Sequence, residues 1–69
     1  MDGFGGWLAQ FTQVKGAMGD LARDAAADTD WPDEPDELET YVDHLESAGA
    51  STAALDTLAD AWARYVAWQ

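Results

Sequence analysis

Apolar positions along this chain recur at helical spacing and fall into four groups, with no run that alternates as a strand would. Phe4, Trp7, Leu8 and Phe11 stand at i, i+3, i+4 and i+7, which puts all four on one face of a first helix. Gly16 and Gly19 are expected to bracket a turn. Met18, Leu21, Ala22 and Ala25 then repeat the spacing in a short second helix, with Asp20 suited to its first turn by the helix dipole. The opposite face of that helix carries Asp20, Asp24 and Asp28 at i, i+4 and i+8, with only Arg23 nearby to offset the repulsion.

The stretch Thr29-Asp30-Trp31-Pro32-Asp33-Glu34-Pro35 breaks the periodicity, because each proline disfavours helix in the residue before it. Pro35 is expected in the first turn of a third helix, where Asp36, Glu37 and Glu39 complement the positive helix start. Leu38, Tyr41, Val42 and Leu45 form its apolar stripe, and Gly49 fits the position just past its end. Ser51 is a natural N-cap for a fourth helix. Its expected stripe is Leu55, Leu58, Ala59, Trp62 and Val66, with Tyr65 at the edge and an Asp60–Arg64 pair on the surface. Connections this short predict an all-α chain, a compact bundle of four short helices forming one domain over residues 1–69.

Composition narrows the chemistry. The chain has no cysteine, which excludes disulfides and thiolate metal sites and suits a reducing compartment. No apolar run reaches the ~18 residues of a membrane span, and Met1-Asp2-Gly3-Phe4 lacks a cationic leader, so the expected location is cytoplasmic with no membrane partner. Four Trp, two Phe and two Tyr supply enough apolar material for a small core.

The order Phe4-x-x-Trp7-Leu8, Asp20-Leu21-Ala22-Arg23-Asp24, Asp30-Trp31-Pro32, Leu38-x-x-Tyr41-Val42-x-x-Leu45-Glu46 and Ala61-Trp62-x-x-Tyr65 resembles the YozE family of small bacterial proteins. The resemblance covers about residues 4–65 and is most specific at Trp31-Pro32 and at Ala61-Trp62-x-x-Tyr65. It implies a sterile-alpha-motif-like helical fold and carries no activity with it. Gly5 and Gly6 depart from the expected pattern and weaken the first helix by up to about 1 kcal/mol each.

Candidate sites are few. Asp28-x-Asp30 followed by Asp33 and Glu34 invites a calcium-loop reading, yet Pro32 occupies the third ligand position and Asp33 the place where the turn needs glycine. His44, the only histidine, has no neighbouring nucleophile or second ligand and reads as a surface or boundary residue. Ser47, Ser51 and the threonines lack the elbow that presents a nucleophile, and no glycine-rich phosphate loop follows a strand. The expectation is a non-enzyme with no cofactor and no metal.

The acidic excess remains. Fourteen acids face three basic residues, a formal net charge of −11, and eleven of the acids lie between Asp20 and Glu46. Such a field repels nucleic acid and attracts basic partners. Lys15, Arg23 and Arg64 are too few and scattered for a phosphate track, so direct nucleic-acid binding, which the fold suggests by analogy, is disfavoured. Three readings stay open: a solvated surface that keeps the chain soluble, a docking face for a basic protein surface, and a nucleic-acid mimic, of the kind phage-encoded inhibitors exemplify, that inhibits a DNA- or RNA-binding protein or enzyme. The reading carried forward is a protein-interaction module whose face comprises Asp24, Asp28, Asp33, Glu34, Asp36, Glu37 and Glu39. Trp68, away from the expected stripe, is a candidate apolar anchor. The charge favours a monomer or weak self-association.

Overall fold

The computed structural model describes residues 3–69; Met1 and Asp2, on which part of the N-terminal expectation rests, lie outside them. Four helices follow one another: α1 (Gly3–Leu8), α2 (Ala17–Ala27), α3 (Leu38–Ser47) and α4 (Thr52–Trp68). A single 3-10 turn, Ala9–Phe11, extends α1, so the first helix is shorter than the Phe4–Phe11 spacing predicts. Helix α4, the longest, packs against each of the other three.

Helix ends are set by local chemistry. The α3 terminus closes as a Schellman motif: Gly49 adopts a positive φ of 82° and donates its N–H to the Glu46 carbonyl, while the Ala50 N–H reaches Leu45 at 2.9 Å. Two residues later the Ser51 hydroxyl accepts the Ala54 N–H at 3.1 Å and starts α4. Both ends stand where the sequence places them.

Two helix starts and one buried face differ from expectation. Helix α2 begins at Ala17, so Gly19 lies inside it, buried, and not at a turn. Helix α3 begins at Leu38 with Glu37 in the N-cap position, which leaves Pro35 and Asp36 outside the helix and only Glu39 in its first turn. On α4 the buried seam is Leu58, Ala61 and Tyr65, whereas Ala59 is exposed and Val66 is 51% exposed. The rotation follows from Tyr65, whose ring belongs to the core and whose hydroxyl has an acceptor inside the fold. No ion pair joins Asp60 and Arg64 among the described residues.

The core is aromatic at one end. Phe4 is fully buried, with its ring centroid 4.8 Å from Tyr41, 5.4 Å from Trp62, 5.5 Å from Tyr65 and 5.9 Å from Trp7. Trp31 leaves the connection between α2 and α3 to stack on Tyr41 at 5.5 Å. The rest of the core is aliphatic, built from Leu8, Leu21, Ala22, Ala25, Leu58 and Ala61.

Candidate functional site

The acidic residues divide by what their carboxylates touch. Asp36 is the most engaged. Its Oδ1 accepts the Tyr41 hydroxyl at 2.5 Å and the Phe4 backbone N–H at 3.0 Å, and its Oδ2 accepts the Tyr65 hydroxyl at 2.6 Å. One carboxylate thereby joins the start of α1, the first half of α3 and the last turns of α4. The approach is close at Gly3, whose φ is +66° and where a Cβ would meet the Asp36 carboxylate at 3.0 Å; glycine satisfies both demands. Burial pushes the Asp36 carboxyl up, but the Tyr41, Tyr65 and Phe4 donors outweigh it and hold the group below the usual aspartate range. Burial and the Asp36 hydrogen bond drive Tyr41 far above the usual tyrosine range, and the Asp33 charge adds to the shift. The hydrogen bond to Asp36 raises Tyr65 in the same direction.

Asp28 is also used internally. It caps the C-terminus of α2, accepts the Asp30 N–H at 2.8 Å through Oδ1, and sets Oδ2 2.6 Å from His44 Nε2 on α3. The hydrogen bonds from His44 and from the Asp30 N–H hold Asp28 below its ordinary value. His44 lies edge-on to Trp31 at 5.5 Å, so the boundary histidine is a strut between α2 and α3. The Trp31 indole N–H is buried, with no hydrogen-bond partner among the described residues. Asp20 pairs with Arg23, whose guanidinium also donates to the Thr12 carbonyl at 2.9 Å and the Val14 carbonyl at 3.2 Å.

Asp24, Asp33, Glu34, Glu37 and Glu39 are exposed and make no side-chain hydrogen bond or ion pair among the described residues. They are the members of the expected docking face left free to meet a partner; Asp30, Asp43, Glu46, Asp56 and Asp60 are likewise exposed with unpaired carboxylates. Among those residues, no three histidine or carboxylate groups come together as a metal site. Trp68 is 69% exposed and stacks on Tyr65 at a centroid distance of 6.3 Å. It stands three residues beyond Tyr65, outside the core cluster and exposed.

Crowding of like charge on the exposed face should make stability depend on salt. The melting temperature is expected to rise by about 5 °C as salt goes from millimolar to about 0.5 M, because screening relieves exposed repulsion while the Asp36 bonds, made to uncharged donors, lose little. A flat or falling melting temperature would show that the free acids do not repel one another.

With the geometry in place, comparison with known proteins identifies the chain. It is a small helical domain of sterile-alpha-motif-like fold. The family model described as YozE SAM-like fold matches residues 3–67, and the chain belongs to that family. No curated protein and no solved structure matches it significantly. No described helix is long and apolar enough to cross a membrane.

Proposed function

We propose that this YozE-family domain is a non-catalytic interaction module that docks a basic protein surface on its free carboxylates. The observation that carries the reading is the division of the acids. Asp28 and Asp36 are consumed in holding helices together, whereas Asp24, Asp33, Glu34, Glu37 and Glu39 stand exposed without an internal partner. Few cations oppose them: Arg23 is spent on two loop carbonyls and Asp20, which leaves Lys15 and Arg64. That balance disfavours direct nucleic-acid binding. Trp68 supplies an exposed aromatic for the rim of such a contact.

The test is affinity capture with the immobilised chain from cytosolic extract, at low and at high salt, with the bound proteins identified by mass spectrometry. The expected result is retention of one or a few basic proteins, weakened but not abolished by salt. Recovery of nucleic-acid enzymes that free DNA displaces would replace this reading with the mimic. Recovery of nothing at low salt would remove both.

A further inference from the structure

Among the described residues a groove that side chains of this chain do not fill lies beside Asp24, the unpaired acid of α2. Its volume is about 320 Å³. Leu21 of α2 and Leu45 of α3 belong to its apolar lining, Ala53 and Ala54 from the first turn of α4 are among its small wall residues, and Asp20 and Asp24 supply its charge. No basic side chain lines it. Arg23, the nearest basic residue in sequence, is turned to the Thr12–Val14 loop and to Asp20.

We propose that this groove receives the apolar side chains of a basic amphipathic helix from a partner protein, with Lys or Arg residues of that helix meeting Asp24 and the rim. The inference rests on the interaction reading above and places it on one face. Alanine at Ala53 and Ala54 leaves a depression over leucines, and its volume lies in the range of sites that bury apolar groups. Docking the apolar face of a helix in a groove is a common way to fill such a site. The charge then selects the occupant: a lining in which Asp24 is unpaired, Asp20 is matched by Arg23 and no cation is present, on a chain of net charge −11, favours a cationic helix over a neutral or acidic one.

The probe is a fluorescent amphipathic peptide of about 18 residues, Leu at helical spacing and Lys elsewhere, compared by anisotropy with a peptide in which every Leu is Ser. The full chain is expected to bind the Leu/Lys peptide at least about tenfold tighter than the Ser/Lys control. Ala53→Trp, which fills the groove from an exposed helix position, and Asp24→Lys, which reverses its rim, should each weaken binding by about fivefold or more. Asp60→Lys makes the same change of charge on an exposed residue outside both the groove and the docking face and should weaken it less than about twofold. Unchanged helicity and melting for Ala53→Trp establish that a loss is local. The groove is overturned if the chain does not bind the Leu/Lys peptide, if both peptides bind alike, if Ala53→Trp binds as the parent does, or if Asp60→Lys costs as much as Asp24→Lys. Capture of basic proteins from extract that survives Ala53→Trp would leave the acidic-face reading standing while the groove falls, so the two failures are distinguishable.

Discussion

Asp36→Ala is expected to destabilise the domain by about 3 kcal/mol, a loss of roughly 10–20 °C in melting temperature for a chain of this size. The residue is exposed in part, so the three charge-assisted bonds do not each contribute their full strength. Yet their removal also strands two tyrosine hydroxyls and the Phe4 N–H at the edge of an aromatic core. A domain of this length is stable by only about 3–10 kcal/mol, so the change consumes a large part of the margin. Tyr41→Phe and Tyr65→Phe remove one bond each and should cost about 1 kcal/mol apiece, with the double variant costing less than Asp36→Ala because the Phe4 contact persists. Thermal melts of the four variants check the ordering.

The same cluster sets the pH response. The Asp36 carboxyl lies below its unfolded value in the folded chain, so its contribution is complete above about pH 4 and is lost as pH falls through the lower folded value. Asp28 acts with the same sign. Tyr41 and Tyr65 are raised, so their contribution is complete below about pH 10 and declines as pH climbs above it. Stability is therefore expected to hold across neutral pH and fall at both ends, with the acid limb shallower in Asp36→Asn.

Gly19→Ala is expected to destabilise the chain by about 2 kcal/mol, although glycine to alanine inside an open helix ordinarily stabilises by about 1 kcal/mol. The sign reverses because a Cβ on Gly19 would stand 2.6 Å from the Val14 carbonyl carbon and closer still to its oxygen. That atom belongs to backbone held by Arg23 and cannot rotate away. Either the 12–16 connection lifts from α2 or the first turn of the helix shifts. A chemical denaturation midpoint that rises in Gly19→Ala would contradict this packing.

What the sequence conveys and what it withholds separate along physical lines. The Gly49 terminus, the Ser51 cap and the Leu21, Ala22, Ala25 face are legible because each depends on residues a few positions apart. The YozE-like order of aromatics likewise carried the fold. Asp36 is not legible in the same way. Read locally it is one more acid before a helix, and its role depends on Phe4 and Tyr65, 32 and 29 residues away. That pull also explains why α3 starts at Leu38 and why Tyr65 displaces Val66 from the α4 seam. Read locally, Gly19 fits a turn, because glycine marks both turns and close backbone approach and only the position of Val14 distinguishes them. The Asp28–His44 contact escaped for the same reason as Asp36, since 16 residues and the Trp31-Pro32 connection separate the pair. The eight residues singled out for a partner thus resolve into Asp28 and Asp36, which serve the fold, and six that remain free.

The division of the acids is tested most directly by comparing Asp36→Asn with the triple variant Glu34→Gln, Glu37→Gln, Glu39→Gln, each immobilised and challenged with the basic proteins that the parent captures, at a temperature where both are folded. The expectation is that the triple variant releases those proteins at lower salt than the parent, while Asp36→Asn retains them as the parent does. Retention by the triple variant at the parent's salt concentration, or loss of capture in Asp36→Asn alone, would contradict it.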